Sequence, residues 1–389
     1  MEEAVSKSFQ KLKNFCEQQE FKGWDPYDGL NSRVFNALPI IRNNRFCRLA
    51  WIQLFKKSPV NFRSITAVKK DFNTKGLGLF LTGYCNLYKL NPQKEYLDKI
   101  NFLTEKIIEL QSKGYSGSCW GYNFDWQSRA FFQPKHTPTV VATSFVADSL
   151  FNVYEITNDK KYLDTALSSA DFVLKDLNRT YDEKGNFSFS YSQLDKTQVF
   201  NASLLGARLL SRCFFYTKNQ IYKTEAQKAV SFVCDRQQSN GAWVYGTLPF
   251  HQWIDNFHTG FDLECINDYK KYTGDSSFDL YLQKGIDFYL ATFFTKEGAG
   301  KYYHDKLYPI DIHSPAQLIV TLSKLGLFQQ QVHLAKRVMN WTIENMQHKE
   351  GYFYYQKKKY FSSHIPYMRW AQAWMFYSMS YYLKEMDNK

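Results

Sequence analysis

Apolar positions in this chain alternate between helices that are greasy on every side and helices greasy along one stripe. Residues 139–157 (TVVATSFVADSLFNVYEIT) are apolar nearly all round. Residues 160–177 instead align Leu163, Ala166, Leu167, Ala170, Val173, Leu174 and Leu177 against Lys160, Asp164, Ser168 and Lys175. A helix buried on all sides belongs inside a fold, and a striped one outside it. The pair then recurs. Helix starts expected near Lys75, Thr139, Val199, Phe257, Asp311 and Pro366 lie 54 to 64 residues apart, a period that marks tandem helical hairpins. Ahead of them, residues 3–20 form a stripe (Val5, Phe9, Leu12, Phe15), 23–32 (GWDPYDGLNS) read as a loop, and 44–57 predict a helix ending before Pro59.

Each outer helix is followed by a glycine turn and an aromatic pair: Trp120 and Tyr122, Phe187 and Phe189, Trp243 and Tyr245, Tyr302 and Tyr303, Phe353 and Tyr355. Such pairs predict short strands or extended caps over one end of the structure. The expected fold is all-α, an (α/α)6 toroid of tandem helical hairpins with short β-hairpin or aromatic loops at one end. It forms a single domain over 1–389, in which residues 1–60 supply N-terminal helices and a loop that close the ring. An open solenoid is the alternative, and the all-apolar inner helices favour closure, since an open array leaves one face wet.

Gln237, Gly241 and Trp243 spell QxxxGxW, which resembles the repeat motif of squalene–hopene cyclase and prenyltransferase toroids. That likeness implies a glutamine capping a helix end and a tryptophan stapling it to the next turn. A terpene cyclase-like activity lacks its acid motif, because neither DxDD nor DDxxD occurs. The run Asp255-Asn256-Phe257-His258-Thr259 resembles the WDYHTTH stretch of D-glucuronyl C5-epimerases. His258 and Thr259 agree, Asn256 replaces an aspartate, and Phe257 stands where that family has a proton-transferring tyrosine. Unsaturated glucuronyl hydrolases resemble the chain more loosely. Its whole-length pattern is most similar to toroids of exopolysaccharide loci (VpsJ-like), a likeness that implies polysaccharide biosynthesis rather than a particular reaction.

Of 389 residues, 44% are hydrophobic and 18% aromatic, which excludes a disordered chain. The N-terminus lacks the apolar core of a secretory signal, and no stretch reaches the roughly 18 apolar residues a membrane span needs. Seven scattered cysteines without a CxxC pair indicate neither a disulfide framework nor zinc. These features predict a cytoplasmic protein, with attachment to the periphery of the inner membrane as a variant. Net charge is +12, spread along the chain, with Lys357 to Lys359 the one compact run. That field favours anionic partners: an acidic oligosaccharide or polysaccharide, a lipid-linked sugar or an anionic membrane surface. No nucleic-acid motif accompanies it.

In a toroid the inner-helix N-termini share one end, where unsatisfied N–H groups favour a carboxylate or phosphate. The sequence directs Trp120, Tyr122, Asp125, Arg129, His136, Gln198, Asn201, Trp243, Tyr245, Asp255, His258, Asp311, His313, His364, Tyr367 and Arg369 to that end. Aromatic faces suit sugar rings, and arginines suit a uronate carboxylate. Four of the eight histidines fall near inner-helix starts, and imidazole suits proton transfer near neutral pH. The expected catalytic set is His258, then Tyr245, His313 and Asp255, with the others binding substrate and neither metal nor cofactor. The leading reaction is proton abstraction beside a uronate carboxylate, as in an epimerase or lyase. The rivals are glycoside hydrolysis by two of Asp125, Asp255 and Asp311, and a non-catalytic scaffold. Asp25 and Asp28 are read either as an acid pair over the mouth or as turn residues.

Overall fold

A computed structural model describes residues 2–387. Helix α1 (Glu2–Gln18) opens the chain. Three helices follow: the short α2 (Arg33–Asn36) and α3 (Pro39–Asn43), then α4 (Arg45–Lys57). Then come the hairpins: α5 (Thr74–Leu90) with α6 (Lys94–Glu109), α7 (Val140–Thr157) with α8 (Lys160–Asp171), and α9 (Phe200–Thr217) with α10 (Gln220–Cys234). Next are α11 (Asn256–Thr273) with α12 (Asp279–Thr292), α13 (His313–Lys324) with α14 (Val332–Met346), and finally α15 (Trp374–Asp387).

The ring closes. The inner helices α5, α7, α9, α11, α13 and α15 each pack against the next, and α15 packs back against α5. Helix α1 lies against α15 and α14 as the sixth outer helix. It is tied there by Ser8 and Gln347 (Oγ–Oε1, 2.7 Å) and by the Tyr84 hydroxyl donating to Glu17 (2.6 Å). Inner helices are buried through most of their length, as the all-round apolar pattern requires, and outer ones bury one face. Observed starts fall within about two residues of those expected, apart from the last. There a π-helical segment, Met368–Ala373, precedes α15.

Helix N-termini carry unpaired N–H groups, and here the repeat itself satisfies several of them. Val140 donates its N–H to the Tyr191 carbonyl (3.0 Å), Phe200 to Tyr245 (3.1 Å), Asn256 to Tyr302 (2.9 Å) and Ile312 to Tyr355 (3.2 Å). Met368 donates to Trp24 (3.0 Å), so the N-terminal loop takes the place of a following aromatic turn. Side-chain caps from Asn73, Thr139 and Asp255 serve the next N–H groups.

Of the two forms expected for the aromatic pairs, extended caps are the commoner and strands the rarer. Only Phe187–Phe189 forms one (β4, with β3 Arg179–Tyr181). The other pairs lie at or beside single bridges such as Gly121↔Pro138 and Asp255↔Tyr303. One carbonyl per turn is enough to reach the neighbouring helix start, so no ladder is needed. The remaining short strands are Trp126–Gln127 with Phe132–Gln133, and Ile310–Asp311, Gln356–Lys357 and Ser362–Ser363 in one sheet.

Candidate functional site

A cavity of about 570 Å³ opens at the N-terminal end of the inner helices. Its inner wall rests on Phe145, Phe261 and Trp374, from α7, α11 and α15, whose ring centroids lie 5.4 to 5.6 Å apart. Deeper in the barrel is a buried polar layer. Asp148 pairs with Arg212 there, and Glu264 meets Lys324 (3.5 Å) and the Thr321 hydroxyl (3.0 Å). The mouth is partly roofed by α4, whose Leu49, Ile52, Gln53, Lys56 and Lys57 line the cavity.

His258 sits in the first turn of α11. Asp255 caps that helix by accepting the His258 N–H through Oδ1 (2.9 Å), while its Oδ2 lies 2.7 Å from His258 Nδ1. A carboxylate in that position fixes the proton on Nδ1 and leaves the Nε2 lone pair as a base. The ring is packed by Phe257 (4.1 Å), Tyr245 (4.7 Å) and Trp253 (5.6 Å), and its side chain stays 18% exposed. Asp255 is wholly buried behind it.

His313 lines the same cavity and stacks parallel on the Phe257 ring at 4.3 Å. Both of its nitrogens are buried without a hydrogen-bond partner. Burial first, then the charges of Lys75 and other cations nearby, holds this imidazole well below its ordinary pKa, so it is neutral. Lys75, in the first turn of α5, lies over Phe145 (4.4 Å), Phe261 (5.2 Å) and Trp374 (5.3 Å). Burial, with Arg369 and Arg208 nearby, pushes its ammonium well below the usual lysine value. Asn201 also lines the cavity, and its Oδ1 is buried without a partner.

Five basic residues line the cavity, Lys56, Lys57, Lys75, Arg129 and Arg369, and no Asp or Glu does among the described residues. Arg369 is partly committed: it donates from Nε and Nη2 to the Asp25 carboxylate (2.5 and 2.8 Å). Among the described residues no three His, Cys, Asp or Glu side chains are grouped so as to hold a metal ion.

Of the residues singled out from sequence, His258, His313, Tyr245, Tyr122, Arg129, Asn201 and Arg369 line this cavity, with Asp255 directly behind. The rest do not reach it. Trp120 and Trp243 are buried staples whose indole N–H groups donate to Ile107 (2.7 Å) and Val233 (3.0 Å) carbonyls. Asp311 is buried and accepts from Trp370 Nε1 (2.9 Å), Gln356 (2.6 Å) and the His313 N–H (3.0 Å), so it positions neighbours rather than touching a ligand. Tyr367 is buried against Arg63 (3.0 Å). Asp125 accepts from the Lys135 N–H (2.8 Å) in a surface loop. His136 lies in a separate surface depression with Glu109 and Lys113, and His364 is exposed and stacked on Tyr354 at 3.9 Å. The Gln198 carbonyl is spent on the Thr247 N–H (3.2 Å). Asp25 and Asp28 form no acid pair over the mouth; both are buried, held by Arg369 and Arg63.

Lys75, Trp253, Trp370, Tyr302 and Lys56 also line the cavity and were not anticipated as site residues. Lys75 had a readable signal: a lysine followed by the apolar run of a fully buried helix. The roofing residues of α4 had none, because nothing in their own pattern says which helix they cross.

No family model matches the sequence, and no curated protein matches it. Solved structures do. A cellobiose 2-epimerase from Bacillus thermoamylovorans superposes with a TM-score of 0.62 at 14% identity, covering 82% of this chain and 88% of that one. A D-mannose isomerase gives 0.60 at 12% identity, covering 81% and 87%. A family 88 glycosyl hydrolase from Bacteroides vulgatus gives 0.57 at 10% identity, covering 80% and 91%. At these identities the likeness is one of fold.

Proposed function

We propose that the cavity binds an acidic sugar and that His258 moves a proton at the carbon next to its carboxylate, as in an epimerase or lyase. The observation that carries this reading is the Asp255–His258 pair, 2.7 Å apart, at a cavity lined, among the described residues, by five lysines and arginines and by no Asp or Glu. Asp255 keeps the proton on Nδ1, so Nε2 takes the substrate proton as a general base. Negative charge then grows on the adjacent carboxyl oxygens. Lys75 and the uncommitted Nη1 of Arg369 are the cations placed to meet it. Among the described residues no carboxylate forms an ion pair with Lys75, and burial disfavours its ammonium; an anionic ligand supplies the missing charge. His313, neutral and stacked on Phe257, has one ring N–H to donate as a hydrogen bond to the forming oxyanion. Trp253, Tyr245 and Tyr302 give flat faces for a sugar ring.

The fold relatives that are sugar epimerases or isomerases are consistent with proton transfer of this kind. Hydrolysis by paired carboxylates has no pair here, since Asp125, Asp255 and Asp311 all lie off the cavity wall. A role in polysaccharide biosynthesis rests on the sequence resemblance to exopolysaccharide-locus toroids.

Calorimetry tests the substrate class. A glucuronate-containing oligosaccharide is expected to bind at least about tenfold more tightly than its carboxyl-reduced counterpart. Lys75→Met should remove that preference. Equal affinity for the two, or a preference that survives Lys75→Met, overturns the acidic-sugar reading.

A further inference from the structure

The roof over the mouth has an outer face that the sugar chemistry does not use. Across residues 33–70 there are nine Lys and Arg and not one Asp or Glu. This stretch is about a tenth of the chain and carries nine of the twelve net positive charges. Of the nine, Arg63 is buried beside Asp28, and Lys56 and Lys57 line the cavity, which leaves Arg33, Arg42, Arg45, Arg48, Lys69 and Lys70 outside it. The same stretch also holds three of the four most exposed large hydrophobic side chains among the described residues: Ile40 is 89% exposed, Ile65 78% and Phe46 77%, with Val60, Leu54, Val34 and Leu38 also open. Helix α4 is two-faced. Leu49, Ile52 and Lys56 look into the cavity, whereas Phe46, Ala50 and Leu54, at four-residue spacing, are exposed. The only compact basic run joins this face, because Lys358 Nζ donates to the Lys57 carbonyl (2.9 Å) and Tyr360 beside it is 85% exposed.

Exposed apolar side chains interleaved with arginine and lysine, without acidic residues, match the chemistry of an interface with anionic lipid. The apolar groups enter the acyl boundary and the cations meet the headgroups. Scattered exposed apolar residues are ordinary on a surface. A contiguous segment holding many of them and three quarters of the net charge is not. We propose that residues 33–70, together with the Lys357–Phe361 loop, dock this protein on the surface of an anionic bilayer. Since α4 also roofs the cavity, docking sets the mouth beside the membrane. The proposal does not depend on the chemistry assigned to His258.

Co-sedimentation with phosphatidylcholine vesicles, with and without phosphatidylglycerol, tests it on the full chain. Binding to the anionic vesicles is expected to exceed binding to neutral ones by at least about tenfold, and to weaken in high salt. Both Arg33→Glu/Arg42→Glu and Ile40→Asp/Phe46→Asp should lose that binding while keeping the circular dichroism of the parent. His258→Asn should bind vesicles like the parent, which separates this surface from the catalytic reading. Absence of preference for anionic vesicles overturns the proposal, as does full binding by either double variant. A dimer in solution that Ile40→Asp/Phe46→Asp converts to monomer also overturns it, assigning the face to a second copy.

Discussion

At the scale of single residues, the account turns on which polar groups face the cavity and which serve them from behind. The place of His258 at the cavity was legible from the repeat period, which sets it at an inner-helix start, whereas its pairing with Asp255 was not. One carboxylate satisfies a backbone N–H and a ring N–H together. Asp311 misled for the same reason. An aspartate at an inner-helix start looks the same in sequence whether it faces the cavity or the packing behind it, and here it holds Trp370 and Gln356. Its burial raises the carboxyl from 3.8 to about 6. The folded state therefore holds this proton more tightly than the unfolded chain does. The stability it lends is fully present below about pH 3.8 and is lost as pH rises through about 6, a change of roughly 3 kcal/mol. Asp311→Asn cannot ionise. Its urea midpoint relative to the parent should rise between pH 4 and pH 7; a constant offset contradicts the assignment. Breaking the Asp25–Arg369 pair acts differently. Asp25→Ala leaves a buried guanidinium unpaired and should cost about 3–5 kcal/mol in chemical denaturation.

At the scale of elements, the glycine and aromatic turns were legible as a repeat, while the choice between short strands and extended caps was not. Periodicity locates a turn but not the partner of its carbonyl, which is a helix start in the adjacent hairpin. Trp243 illustrates the packing that results. Gln237 donates to the Gly241 (3.0 Å) and Tyr281 (2.8 Å) carbonyls, and the indole is buried beside Gly285. Gly241 has φ of +90°, and a Cβ there would meet the Lys284 carbonyl oxygen at 2.2 Å. Gly241→Ala is thus expected to destabilise by more than about 1 kcal/mol, and Trp243→Ala by about 3–5 kcal/mol. A stable Trp243→Ala protein with impaired sugar binding would mean that the indole is a ligand rather than a staple. The π-helical segment Met368–Ala373 had no sequence signature. It sets Arg369 and Trp370 in the cavity wall on consecutive residues, and such segments often occur where side chains are aimed at a site.

At the scale of the whole molecule, ring closure was legible from helices apolar on every side, because only a closed ring dries all of their faces. What α1 does was less so. Its stripe showed that it packs, not that it fills the outer position beside α15 at the opposite end of the chain. Deleting residues 2–18 should uncover α15 and Phe376 and abolish a single cooperative thermal transition. A deletion that unfolds like the parent would show that α1 is an accessory. Closure also explains how His258, His313, Lys75, Asn201 and Arg369, from five different inner segments, come to share one cavity. The direct test of that shared site is solvent exchange followed by proton NMR in D2O. With a glucuronate-containing oligosaccharide, the account predicts loss of the signal from the hydrogen on the carbon bearing the carboxylate. His258→Asn should slow that exchange by about 10²–10⁴-fold while leaving affinity for the sugar unchanged. No exchange in the parent despite tight binding, or equal exchange in the variant, would contradict it.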